Sequence, residues 1–398
     1  MHLGKYAKGA IVVSIGTIEP KEAAALAEGV YAVNAGDDFA LQIFLGNKLF
    51  QQDQKMLKAN VGGRVFRAVE DSFGIAAIGG TEQRKELFLI FRGTTTANNK
   101  ADFITDARIG LTSSSSGWPV HIGFNHAFSS MIRDIQDFCS SQKGVSTVHC
   151  VGHSLGGAVA TLAADWAYSN IAKDVKLYTF GQPRVGLSMH ALNITRKLGA
   201  KNIRRVFHTT DPVPMVPVFP YVHNPLPGKG HSIDSSDLIH VATAHKMGKY
   251  ADNVKNKRWA DIARNAPKFN HEDAIEGWLN SRRNENPDCP KTFEWVERAI
   301  HWLLAKITGQ IVNIAHLAIM GVHTFLDKLA WMLAKAIEIK DAVSEFVRMF
   351  VRKVARVLGI KLKQAGEGIT RNFLRYILEA LTRRAYELAQ RAIRNLKS

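Results

Sequence analysis

The sequence predicts an α/β protein, a mostly parallel sheet held between helices, with an all-helical C-terminal region appended. Three observations predict it. Short apolar runs bounded by Gly, Asp or Ser recur through the first 210 residues, as buried strands do. Helical stretches alternate with the later runs, which implies right-handed crossovers and parallel pairing. Beyond about residue 265 the pattern turns wholly helical.

In chain order, residues 20–30 read as a short helix with proline near its start. Runs at 75–78, 87–91, 145–151, 175–180 and 203–207 read as strands, with helices at about 155–170 and 187–199. Prolines at 212, 214, 217, 220, 225 and 227, six of the chain's 12, make 212–227 a stiff loop, neither helix nor central strand. Helices then follow at 293–308, at about 310–338 with Gly321 as a break, at 341–358 and at 369–397. The expected division is 1–262 and 263–398, within a boundary zone of 255–290.

Composition narrows the class. With 398 residues, 46% apolar and 22% charged, the chain is globular, and neither disordered nor collagen-like. Cys139, Cys150 and Cys289 are an odd, sparse set without metal-ligand spacing, which argues against a disulfide framework and a zinc site. No metal and no cofactor are expected. The N-terminus has basic residues but no apolar segment and no small-residue cleavage site, so synthesis in the cytoplasm and export by a signal-independent route are expected. The stretch 311–326 contains Asn313, His316, His323 and Thr324, short of the ~20 apolar residues of a spanning helix.

Gly152-His153-Ser154-Leu155-Gly156-Gly157 follows the 145–151 strand and precedes a helix rich in small residues. A serine on such a corner projects above the sheet, and Gly152 and Gly156 let strand and helix approach. This is the nucleophile elbow of the α/β-hydrolase fold. The five-residue pattern alone arises by chance in about one protein in ten, and a plain packing turn is the alternative; the strand before and the helix after favour the elbow. Ser154 needs a histidine to take its proton and a carboxylate to orient that histidine, in the chain order Ser, acid, His. Asp211 ends the 203–207 strand region, where the acid of this fold sits, although Asp-Pro also makes turns. The residues leave the base open among His223, His231, His240 and His245.

Four separated segments together resemble the class 3 lipases. They are Phe91-Arg92-Gly93-Thr94, Val120-His121-Ile122-Gly123-Phe124, the elbow, and Gly181-Gln182-Pro183-Arg184-Val185-Gly186, followed by Asp211-Pro212-Val213-Pro214 and His245 with Tyr250. These segments span about 91–250. The resemblance implies a bacterial-type member with an extra helical region, in which Ser154 attacks an ester carbonyl, His245 is the base and Asp211 orients it; His240 is the alternative base. It implies an oxyanion hole of the Leu155 and Thr94 backbone N–H groups with the Thr94 hydroxyl, each donor worth ~3–4 kcal/mol of barrier. Asp106 is implied to support the oxyanion turn, or else is a solvated helix-end charge. The family's apolar lid corresponds to 95–104, which reads polar here and argues against interfacial activation by that element.

Net charge is +17, and 346–398 carries 13 Lys or Arg against 3 Glu. Phe346, Phe350 and Val354, with Val347, Val351 and Leu358, form apolar stripes beside Arg348, Arg352 and Arg356. Phe373, Ile377 and Leu381 repeat the design beside Arg371, Arg375 and Arg383. Such helices pack their apolar faces inward, or dock on anionic lipid, or do both. Nucleic acid is not an expected partner, because no recognition module accompanies the basic face. The expected function is a lipase or phospholipase cleaving glycerolipid esters at a membrane. Alternatives are a neutral-glyceride lipase or general carboxylesterase, and a membrane-binding or pore-forming toxin acting through its helices. A cognate inhibitor and secretion machinery are further expected partners of an exported effector.

Overall fold

A computed structural model describes residues 16–61, 69–81, 84–94, 110–228, 230–234, 243–265, 272–308, 321–338, 342–362 and 369–394. Within them the chain opens with helices α1 (Pro20–Gly29) and α2 (Asp38–Leu45), then strands β1 (Phe50–Val61), β2 (Val69–Gly80) and β3 (Lys85–Phe91). The hairpin β4 (Leu111–Ser113) and β5 (Pro119–His121) leads into α3 (Ile122–Ser140). Next come β6 (Val145–His153), α4 (Leu155–Asn170), β7 (Asp174–Phe180), α5 (Ser188–Leu198), β8 (Ile203–His208), β9 (Gly230–Ile233), α6 (Met247–Val254) and β10 (Arg264–Asn265). Helices α7 (Glu272–Asn280), α8 (Pro290–Thr308), α9 (Gly321–Glu338), α10 (Ala342–Val357) and α11 (Arg371–Arg394) complete the described chain.

The main sheet runs β1-β2-β3-β6-β7-β8-β9-β10. β3, β6, β7, β8 and β9 pair in parallel; β1-β2-β3 and β9-β10 pair antiparallel. The expected parallel sheet is therefore flanked by antiparallel pairs. All five expected strands are present.

Alternation along β3 explains the layers. Leu87, Leu89 and Phe91 face a core shared with α3, α4 and α5, while Phe88 and Ile90 face a core shared with α1 and α6. Both faces of the central strands are thus dry, and each fully buried large side chain contributes about 1.5–3 kcal/mol. Helix α4 is buried from Leu155 to Ala167, and its Gly and Ala residues let it lie close against the sheet.

The apolar stripes of α10 and α11 pack inward. Val347, Phe350, Val351, Val354, Ile377 and Leu381 lie in one core with α8 and α9, while Arg352, Arg356, Arg371 and Arg383 are exposed. Lys353 breaks the pattern. It is buried, ion-paired to Glu285 at 3.2 Å, and donates to Ser281 Oγ at 2.7 Å from above the Trp278 ring. No helix among the described residues is long and apolar enough to cross a membrane.

Candidate active site

The corner between β6 and α4 is built by backbone crowding. A Cβ on Gly156 would lie 2.2 Å from Phe91 O, and one on Gly152 would lie 2.2 Å from Gly156 O. No side chain fits between these backbones. Ser154 itself takes φ 56° and ψ −128°, and among the described residues it alone adopts positive φ without being glycine. Such a conformation costs of order 1–3 kcal/mol and persists only where its surroundings enforce it. Here the Ser154 N–H donates to Phe180 O (2.9 Å) and its carbonyl accepts from Gly157 N (2.9 Å).

The hydroxyl so displayed donates to His245 Nε2 at 2.8 Å, and His245 Nδ1 donates to Asp211 Oδ2 at 2.7 Å. Asp211 follows β8, and His245 lies just before α6. Tyr250, within α6, donates its hydroxyl to the same Oδ2 at 2.6 Å, and the Val213 N–H donates to Oδ1 at 2.9 Å. All three members of the chain are buried. Burial by itself raises the Asp211 pKa, but the charge and hydrogen bond of His245, with the bonds from Tyr250 and Val213, hold it below the ordinary carboxylate range. Burial beside that carboxylate drives the Tyr250 hydroxyl well above the usual tyrosine range, so it stays a donor.

Two further histidines, His153 and His208, fix the His245 segment. His153 Nε2 donates to His245 O (2.8 Å), which obliges its Nδ1 to accept from the Tyr31 hydroxyl (2.7 Å); that hydroxyl in turn accepts from Gly93 N (3.0 Å). Burial first, and then the neighbouring His245, pushes the His153 pKa down to about 3, so the ring is neutral. His208 Nδ1 likewise donates to Ala244 O at 2.6 Å, and its ring stacks on Tyr250 at 3.9 Å.

Two donors flank Ser154. The Leu155 N–H is the first of α4 and has no intrahelical acceptor. Thr94, buried, follows Gly93, where an added Cβ would sit 3.0 Å from Ser154 Cβ. Arg92 pins this strand exit, donating to Ser72 O (2.7 Å) and Gly93 O (2.8 Å) and pairing with Asp71 (2.7 Å).

The structure thus brings Ser154, Asp211 and His245 together, with Leu155 and Thr94 beside them and Gly152 and Gly156 as the close approach. Asp106, the alternative base His240 and the lid segment 95–104 lie outside the described residues. Of the other histidines, His223 donates to Pro214 O (2.8 Å) and His231 lies 3.4 Å from Ile262 O. Tyr31 and the carboxylate-holding role of Tyr250 were not read from the sequence. A tyrosine five residues after the base was visible, but Tyr31 stands 122 residues from its partner and leaves no local pattern. No group of three or more His, Cys, Asp or Glu among the described residues is arranged to hold a metal.

The sequence model of the family described as Lipase (class 3) matches residues 88–221. The secreted mono- and diacylglycerol lipase 1 of Fusarium solani is 38% identical over 161 residues, covering 38% of this chain and 46% of that protein. The secreted mono- and diacylglycerol lipase A of Penicillium cyclopium is 32% identical over 163 residues, covering 39% and 50%. The corresponding MDL2 lipase of Malassezia globosa is 29% identical over 208 residues, covering 49% and 62%. The chain spans about half the length of the curated relatives it matches.

Proposed function

We propose that this chain is a serine hydrolase that cleaves carboxylic esters of glycerolipids, a reading supported by the match of residues 88–221 to the class 3 lipase family. The observation that carries the reading is the hydrogen-bonded chain Ser154 Oγ, His245 Nε2, His245 Nδ1, Asp211 Oδ2, at 2.8 and 2.7 Å. Ser154 Oγ bonds to the carbonyl carbon as its proton passes to His245, and the carbonyl π electrons move to the oxygen. The oxyanion is met by the N–H groups of Leu155 and Thr94 with the Thr94 hydroxyl. Collapse restores the carbonyl, breaks the ester bond and sends the proton from His245 to the departing alcohol. Water then repeats both steps on the acyl-serine and releases the fatty acid.

The relatives support a choice of substrate class. They are named as mono- and diacylglycerol lipases, which favours partial glycerides as the first substrates to test, with phospholipids second. The exposed Arg352, Arg356, Arg371, Arg383, Arg391 and Arg394 support working at an anionic lipid surface. The relatives are named as secreted lipases, which supports action outside the producing cell. Product analysis on diacylglycerol and on mixed phospholipids, with Ser154→Ala beside the wild type, tests the reading. Fatty-acid release that drops about 10⁴-fold or more in the variant is expected. Unchanged release would sink it.

A further inference from the structure

The C-terminal helices hold the loop that carries the acid. Val213, Met215, Val216 and Phe219 belong to the core formed by α8, α9, α10 and α11, and not to either core of the sheet. Phe219 stands edge-on to His301 of α8 at 4.4 Å and to Phe325 of α9 at 5.1 Å. Val213 is the joint. Its side chain is wholly buried in the helical core, while its N–H donates to Asp211 Oδ1 at 2.9 Å.

Arg184 fastens the same loop from the other side. Its backbone N–H donates to Val216 O at 2.9 Å, and its Nη1 reaches Pro217 O and Tyr221 O at 3.5 and 3.4 Å. Its two terminal nitrogens take both carboxylate oxygens of Glu297, on α8, at 2.7 Å each. A planar fork matched to a carboxylate in this way is the strong form of ion pair. The side chains are 11% and 21% exposed, so solvent screens the pair less than a surface bridge. One guanidinium therefore joins the exit of β7, the acid loop and the helical region. Glu297, His301 and Phe325 all lie beyond the family-matched span 88–221.

We propose that Glu297 and Arg184 are positioning residues, and that the helical region braces the Asp211 loop so that hydrolysis depends on its docking. This rests on the proposed esterase reading. The brace sets where Asp211 Oδ2 stands relative to His245 Nδ1. Misplacement of such a group by a fraction of an ångström lowers turnover without removing any binding contact to substrate.

The test uses the full chain and a soluble short-chain p-nitrophenyl ester. In Glu297→Gln, kcat should fall about tenfold with KM held within about twofold, and Glu297→Asp should recover part of the loss. Amide exchange across 211–221 should quicken by about tenfold in Glu297→Gln while the central strands keep their protection. Should Glu297→Gln fail to fold, Phe219→Leu stays apolar, loses the two edge-on ring contacts and should give the same two signatures. Lys143→Gln, at an exposed position between α3 and β6, serves as the control with wild-type kcat. Wild-type kcat and wild-type exchange in Glu297→Gln, or in Phe219→Leu where that substitutes for it, would overturn the brace. An esterase reading that failed would show differently, as wild-type turnover indifferent to Ser154→Ala, and the exchange result would still decide the brace.

Discussion

Tyr250 and His245 share one carboxylate oxygen: Asp211 Oδ2 accepts from the Tyr250 hydroxyl at 2.6 Å and from His245 Nδ1 at 2.7 Å. The tyrosine therefore sets the position and the charge of the acid together. Tyr250→Phe removes the donor and also strips the His208 N–H of the hydroxyl it meets at 3.1 Å. The expected stability loss is about 1–3 kcal/mol for groups left buried without partners. Turnover should fall about tenfold as Asp211 loosens. Thermal melting and kcat on a soluble ester check this, and a variant equal to wild type in both would show that the hydroxyl is idle.

Gly181 presents a sharper geometric case. Its φ is +56°, and an added Cβ would lie 2.8 Å from Asp211 Oδ2 and 3.0 Å from His245 Nδ1. Gly181→Ala forces a methyl into the acid–base contact and adds about 1–2 kcal/mol of backbone strain. The fold should survive, because the sheet on either side is untouched, while kcat drops about 10²-fold. Circular dichroism beside single-turnover kinetics separates the two effects, and full turnover would contradict the stated contact.

Tyr31 links the elbow to the strand that carries Thr94. Tyr31→Phe leaves His153 Nδ1 and the Gly93 N–H buried without their partner, at about 1–3 kcal/mol each. Freed from that anchor, Gly93 shifts the Thr94 donors away from the developing oxyanion. The loss should appear in kcat more than in KM, because an oxyanion donor acts on the transition state. A pure KM effect would remove Thr94 from the oxyanion site.

Local pattern made the elbow legible, since Gly152 and Gly156 are demanded by backbone atoms 2–3 Å from any added Cβ. Asp211 was legible from its place after β8. The histidine was not, from residues alone; only geometry shows that His223 and His231 meet backbone carbonyls while His245 meets Ser154. β1 was missed because this polar strand buries little beyond Leu57 and Ala59. Helix α3 was missed although Phe124, Ala127, Phe128, Met131 and Ile135 carry a helical period. Contacts such as Arg184 with Glu297, 113 residues apart, have no signature in any window of sequence.

The inward packing of the α10 and α11 apolar stripes leaves charge, and not grease, for the outer face. Arg391 and Arg394 are both exposed at the end of α11. If the helical region meets anionic lipid, Arg391→Gln with Arg394→Gln should weaken binding to phosphatidylglycerol vesicles by roughly 30-fold, at about 1 kcal/mol per arginine. Turnover of a soluble ester should not change. Equal vesicle binding by wild type and double variant would leave the basic face without a lipid role.

Acid stability follows from the buried histidines. Burial is the main cause that pushes His153 down to about 3 and His190 and His231 down to about 4, with nearby His245, Lys197 and Arg264 respectively adding to the effect. In the unfolded chain these rings protonate near 6.5. Between about pH 6.5 and 4 the unfolded state therefore binds more protons, and stability present above 6.5 is lost as pH falls. Asp211 adds little over most of this window, because the stability its depressed pKa contributes is lost only as pH falls through the ordinary carboxylate range and below. Each histidine contributes up to about 1.4 kcal/mol per pH unit, so three can remove about 4 kcal/mol per unit from a total of roughly 5–15 kcal/mol. Urea unfolding should show a midpoint that falls steeply from pH 6.5 to 5 and is nearly level from 7 to 8. A midpoint unchanged between pH 7 and 5 would mean that these rings are charged in the folded protein, which would also break the neutral His153 relay from Tyr31 to His245.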